Sequence, residues 1–173
     1  TAGKVLAIVR EGELSEAVSE GEALVVLDKT SFYAESGGQV SDSGVLTLDG
    51  MAFRVFGCFK TATGVFVHRG AVENGVLSVG DTVTAAVDKE RRFAIMRNHT
   101  GAHLLQAALR KVLGGHVEQA GQMVTEKTVR FDFTHFSSLT PEELRDVEQL
   151  VNAVILSAVP VETREMPIAE AKA

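Results

Sequence analysis

A chain of 173 residues with 45% apolar and 23% charged residues is long enough to bury a real core, as one domain or two small ones. Its net charge of −6 argues against a stand-alone protein that grips nucleic acid by bulk electrostatics. No run approaches the ~18 apolar residues of a membrane span and no secretory signal heads the chain. The single cysteine, Cys58, excludes an internal disulfide and fits a reducing cytosol.

Residues 1–88 read as a series of short strands. Val5–Val9 and Ala23–Leu27 are short apolar, β-branched runs, and the polar stretch from Glu11 to Glu20 between them reads as loop or weak helix. Beyond Gly37-Gly38-Gln39, Gly44–Leu48 and Met51–Phe59 flank Asp49-Gly50, the signature of a type I′ hairpin turn. Cys58 falls inside the second of these runs, which suits a buried, inert thiol. Val65–Arg69, a turn at Asn74-Gly75 and the alternating Thr82–Val87 complete the series. Many short strands joined by glycine turns point to a small β-barrel.

At Asp88 the apolar period changes from two to 3.6. Asp88 is an N-cap, Lys89–Leu113 reads as helix, and Gly114-Gly115 stops it, with a break expected near Arg97 if Asn98 caps a second helix. Leu104, Ala108 and Val112, beside Leu105 and Leu109, form the expected core stripe. His116–Val124 and Thr128–Phe133 read as paired strands, Val129, Phe131 and Phe133 sharing one face. Thr140-Pro141-Glu142-Glu143 carries an N-cap, a proline at N1 and a capping-box glutamate. That helix is expected to reach about Ala158 with Leu144, Val147, Val151, Val154 and Ile155 inward, followed by a strand over Val161–Met166. The fold class is therefore α+β: a small barrel over 1–88, then an α/β two-layer sandwich over 89–173. A start directly ahead of a strand and an end in an uncapped helical turn read as a piece of something longer.

His99 and His103 stand four residues apart on the first helix, so both imidazoles lie on one face within reach of one zinc ion. An H-x-x-x-H pair is half of a tetrahedral site, and by itself fits a partly buried helix face equally well. Thr100 occupies the place where a metalloprotease helix carries its glutamate, which excludes that chemistry. His68, His116 and His135 have no carboxylate or cysteine at ligand spacing and read as surface or strand-end residues. Lys89, Arg91, Arg92 and Arg97 are the one dense basic run, readable as a solvated helix face or as a contact to RNA.

Three stretches taken in series resemble one family. Phe32–Val40, Arg97–Arg110 and Val129–Phe133 are similar in order and spacing to the editing region of alanyl-tRNA synthetases, and the similarity runs over essentially the whole chain. The resemblance implies a β-barrel followed by the domain that alanyl- and threonyl-tRNA synthetases share. It implies hydrolysis of the ester joining a wrong amino acid, serine or glycine, to alanine tRNA. It further implies zinc held by His99 and His103 together with a Cys-x-x-x-His pair that this chain lacks, Cys58 lying too early to serve. By the same resemblance Gln119 is the catalytic glutamine of the pocket. Gly37, Gly38 and Gln39 either supply a turn or line that pocket, and Thr100 and Arg97 are candidate substrate contacts beside them. The parent enzyme would activate alanine with ATP and magnesium in a catalytic domain outside this chain, work in the cytoplasm, and hold the tRNA with its other domains. Tethering then supplies the affinity that the acidic composition does not.

The family commonly carries threonine just before the second histidine, where this chain has Ala102, so recognition of the serine hydroxyl is left without an obvious donor. Gly37-Gly38-Gln39 also invites comparison with the Gly-Gly-Gln loop of peptide release factors, but its flanking residues fit the synthetase. Two other readings remain: a folded module or tRNA-contacting fragment without activity because half its zinc shell is missing, and a free-standing alanyl-tRNA deacylase.

Overall fold

The computed structural model of the chain describes residues 1–162 and 164–171. The strands are β1 (Ala2–Arg10), β2 (Glu13–Ser15), β3 (Ala17–Val18), β4 (Glu22–Leu27), β5 (Gly44–Leu48), β6 (Met51–Lys60), β7 (Phe66–Asn74), β8 (Leu77–Ser78) and β9 (Thr82–Val87). Six of them close an antiparallel barrel in the order β1-β4-β7-β6-β5-β9, sealed where β9 pairs back on β1 with Gly3 opposite Val83. Alternation puts Ala23, Val25 and Leu27 of β4, Met51, Phe53 and Val55 of β6, and Val83 and Ala85 of β9 inside. Closure removes the free edges that short strands would otherwise expose. Asp49 and Gly50 both have positive φ, 36° and 83°, as a type I′ turn demands.

The polar stretch from Glu11 to Glu20 is neither plain loop nor helix. It forms β2, hydrogen-bonded to β1, and β3, which pairs with β8 and lays Val18 and Leu77 over one end of the core. His68 is a second correction. It is fully buried in the barrel, not at the surface, with Nδ1 3.0 Å from the Val25 carbonyl, Nε2 2.8 Å from Thr30 Oγ1, and its ring edge-on to Phe32. Burial lowers its pKa, only partly opposed by the Val25 carbonyl, so the ring is held neutral. Cys58 is buried as expected, its thiol pushed up to about 11 by desolvation and then by the charge of Asp42.

The second half comprises α1 (Lys89–Leu113), β10 (Gln119–Val124), β11 (Val129–Phe133), α2 (Pro141–Leu156) and the short turn α3 (Ile168–Ala171). Asp88 caps α1 by accepting from the Arg91 N–H at 3.0 Å, and Gly114, at φ 115°, closes it. The helix runs unbroken through Asn98, whose side chain donates across to the Thr125 carbonyl at 2.8 Å instead of capping a new helix. The apolar stripe of α1 splits in two. Ile95 and Ala102 pack on Val124 of β10, while Ala108 and Leu109 pack on Val117 and on Val147 of α2. Leu104 stays outside both clusters among the described residues. In α2 the capping box is formed and Val147 and Val151 face inward as expected, joined by Leu150, but Leu144, Val154 and Ile155 are 55%, 38% and 54% exposed. Val161, Glu162 and 164–166 form no strand, and Thr163 lies outside the described residues.

A polar seam joins the halves. Asp42, 2% exposed, accepts from the Tyr33 N–H at 2.6 Å and pairs with Arg92, whose Nε lies 2.7 Å from Oδ1. Arg91 donates to the Ser41 carbonyl at 2.6 Å and pairs with Glu126 at 3.4 Å. The guanidinium groups of Arg91 and Arg92 are thus occupied in holding α1 to the barrel; neither forms a solvated face.

Candidate functional site

The helical period of α1 stacks the rings of His99 and His103, with centroids 5.2 Å apart and planes inclined by only 11°. His99 is half-buried and His103 exposed. Burial, and then the neighbouring charge of His103, hold the pKa of His99 below the usual imidazole value, which keeps a lone pair available near neutral pH. Nearly parallel rings carry their in-plane lone pairs side by side rather than at one point, so one of them must turn before both can bind the same ion. His103, with no hydrogen bond among the described residues, is the one free to turn.

The Gly37-Gly38-Gln39 loop reaches this helix from the barrel. It is tied to β10 on both sides: the Val124 N–H donates to the Gly38 carbonyl at 2.7 Å, and the Val40 N–H donates to the Val124 carbonyl at 3.1 Å. Gln122 Nε2 donates to the Gly37 carbonyl at 2.8 Å. Gly38 has φ 79°, and a Cβ there would stand 2.3 Å from the Gln122 carbonyl oxygen, so any side chain strains the loop and forces it off β10. Gln39 is 7% exposed, and its Oε1 lies 2.5 Å from His99 Nδ1.

Gln119 is exposed, but the cross-strand register places it opposite Phe133, and Gln122 opposite Phe131. Directly opposed residues share a face. Gln119 therefore lies on the side of the hairpin turned to α1, since Phe131 and Phe133 pack there. Along the strand it falls between Val117, whose carbonyl meets Gln106, and Val124, which packs on Ala102. No hydrogen bond links it to either imidazole among the described residues. Thr100 is half-buried on the flank beyond His103. Arg97 is exposed and sits about 200° round the helix from His99, so it does not join the cluster. Ala102 is buried in one apolar cluster with Ile95 and Val124 and serves packing.

Two further residues belong here. Gln122 braces the glycine loop. Gln106, one turn past His103, donates to the Val117 carbonyl at 3.2 Å, while its Oε1 is buried with no partner, the one such side-chain atom among the described residues. Buried acceptors rarely go unpaired, so this oxygen calls for a donor from water or ligand. Its i+7 spacing from His99 was legible in the sequence; the bracing by Gln122 was not. A hollow of about 440 Å³ lined by Phe32, Tyr33, Lys60, Phe66 and Arg92 contains none of the expected site residues.

The donors at the pair fit half of a zinc site: two imidazoles, one of them already engaged by a carbonyl oxygen. Among the described residues no cluster of three or more His, Cys, Asp or Glu could complete it. His116 and His135, 2.9 Å apart between Nε2 and Nδ1, stack with Phe136 as a separate group. No helix among the described residues is long and apolar enough to cross a membrane.

Comparison with known proteins gives this cluster a context. The family model for class II (A) tRNA synthetases matches residues 1–91. The alanine–tRNA ligase of Acetivibrio thermocellus is 49% identical over 170 residues, covering 98% of this chain and 19% of the relative. That of Pelotomaculum thermopropionicum is 52% identical over 171 residues, covering 98% and 20%. That of Bacillus subtilis is 45% identical over 169 residues, covering 97% and 19%. The chain thus spans about a fifth of the length of the curated relatives it matches. It belongs to the class II tRNA synthetases, in the alanyl-tRNA synthetase family.

Proposed function

We propose that this chain carries the editing region of its family and hydrolyses the ester joining serine or glycine to alanine tRNA. The observation that supports this most is the meeting, at one place, of the Gly-Gly-Gln loop from the barrel and the histidine pair of α1, joined by the contact between Gln39 and His99. A pocket that accepts alanine rejects the added hydroxyl of serine only ~10²-fold, so a second, hydrolytic sieve is needed.

The aminoacyl ester is already activated, and its hydrolysis needs no nucleophilic side chain. Water attacks the carbonyl carbon, the carbonyl oxygen becomes an oxyanion, and the ribose hydroxyl leaves. The site must orient that water and stabilise that charge. His99 and His103 would hold zinc, which when bound supplies a positive charge beside the aminoacyl group. Gln119, with two N–H donors and one acceptor on the helix-facing side of the hairpin, orients the water or the oxyanion. Gly37 and Gly38 let the backbone approach the ribose closely. The reaction belongs to the cytoplasm, where the synthetase partners act and Cys58 stays reduced.

The test compares seryl- and glycyl-tRNA(Ala) deacylation by a parent-length protein and by its His99→Ala, His103→Ala double variant. A loss of 10²-fold or more is expected, and equal rates would remove metal from the mechanism. That no third ligand joins the pair among the described residues favours a second reading for the chain by itself: a folded module that binds zinc weakly and deacylates poorly. Dialysis should then strip the metal, and stoichiometric zinc that survives it would contradict this reading.

A further inference from the structure

Gln39 is buried, comes from the barrel rather than from the helix that bears the histidines, and presents its carbonyl oxygen 2.5 Å from His99 Nδ1. An amide oxygen can only accept a hydrogen bond, so the imidazole nitrogen facing it is the protonated one. A neutral imidazole has one N–H, and fixing it at Nδ1 leaves the lone pair at Nε2. We infer that Gln39 is a positioning residue that sets the tautomer and the ring orientation of His99, so that Nε2 is presented to a divalent cation. The inference rests on the proposed zinc reading and gives the barrel a part in the chemistry.

The loop is built for this task. The carbonyl of Gly38 and the N–H of Val40 are locked to Val124, and the carbonyl of Gly37 is held by Gln122. The backbone of Gln39 itself closes a turn with Ser36, its N–H donating to the Ser36 carbonyl at 3.0 Å. Both neighbours of Gln39 are therefore anchored to β10, the strand that packs on α1 behind the histidines. A glutamine so held loses little further entropy on orienting a ring. His103 has no such partner among the described residues, which makes the pair asymmetric: one imidazole is preset and the other turns to meet the ion. Orienting partners of this kind change metal affinity by about 10–100-fold.

Long-range ¹H–¹⁵N correlation spectra of the metal-free chain near pH 7.5 read the tautomer directly. Wild type should show His99 as Nδ1–H. Gln39→Met, which keeps the length and removes the acceptor, should shift it toward the Nε2–H form that imidazole favours in water. Gln39→Glu, which keeps an acceptor oxygen, should restore Nδ1–H. Titration of the same three proteins with zinc alone should show about 10–100-fold weaker binding for Gln39→Met and little loss for Gln39→Glu. Protection of the Val40 and Val124 amides reports whether the loop stays docked, and Gln39→Glu decides the matter if Gln39→Met disturbs it. An Nε2–H tautomer in wild type, or one unchanged in a docked Gln39→Met, overturns the inference whatever zinc does. If the tautomer responds as expected while no variant, wild type included, binds zinc, the metal reading fails and the positioning role stands.

Discussion

The barrel and the helical half differ in how their cores are made. Among the described residues the barrel encloses one cluster of sixteen buried side chains, whereas the helical half divides its interior into clusters of four and three. One element, α1, must serve both of the smaller clusters and carry the histidines as well. The barrel is a closed object that could position a loop rigidly. The helical half is an open one whose site depends on being held against that loop. Stability therefore comes mainly from one half, while the candidate chemistry lies mainly in the other.

The largest test removes a side chain from the denser core. Phe53→Ala should cost about 3–5 kcal/mol, because the ring is fully buried in a closed barrel that cannot collapse onto the space. Chemical denaturation measures it. A cost well below that range would mean the barrel relaxes as easily as the open half, and the contrast would fail.

Cutting the seam comes next. Asp42→Ala leaves the Tyr33 N–H and the Arg92 guanidinium without their shared acceptor, at a cost of about 1.5–3 kcal/mol. The expected signature is two transitions, with amides of α1 losing protection before those of β4 and β6. A single transition with all amides exchanging together would show that the halves are one cooperative unit. Gly38→Ala should cost about 1–3 kcal/mol, from strain at φ 79° and from displacement off the Gln122 carbonyl. It should release the Gln39 contact to His99 while leaving barrel amides protected. Full retention of that contact would mean the loop tolerates a Cβ.

The same contrast explains what was legible in the sequence. The barrel strands are short apolar runs between glycine turns, and the Asp49-Gly50 turn has its own chemistry, so β4, β5, β6 and β9 could be read with close boundaries. The caps at Asp88 and Thr140 are local hydrogen-bonding patterns and could be read too. Facing directions were harder. Leu144 and Ile155 have the spacing of an inward stripe, but α2 packs mainly on α1 among the described residues and buries a narrower face around Val147. His68 looked like a strand-end residue because sequence shows neither the Val25 carbonyl nor the Thr30 hydroxyl that satisfies it. Arg91 and Arg92 looked like a charged face because their partners, the Ser41 carbonyl and the Asp42 carboxylate, are each fifty residues away. At the site, spacing alone put the histidines together, but nothing local revealed that Gln39 comes from the barrel to meet His99.

Acid should weaken the barrel through His68. Burial depresses the folded-state pKa below the ordinary value of ~6.5, so between the two values the unfolded chain holds a proton that the folded chain does not. Stability then rises with pH across that window and falls as the pH is lowered from 7 through 6.5 and onward to the folded-state value. His99 is depressed in the same direction and adds to the slope. Denaturation midpoints measured between pH 7 and 5 should fall, and His68→Gln should flatten the fall without abolishing it. An unchanged slope in that variant would mean the buried ring is not the group that titrates.

The smallest effect belongs to the outer face of α2. Had Leu144 faced inward, as its spacing with Val147 and Val151 suggests, its truncation would cost about 2–5 kcal/mol. Observed at 55% exposed, it should tolerate Leu144→Gln within about 0.5 kcal/mol, by denaturant midpoint at unchanged slope. Val147→Ala on the opposite face, a 6% exposed site touching α1, should cost clearly more. Comparable losses at both positions would mean that α2 buries a wider face than the one described, and that the helical half is less open than its divided core implies.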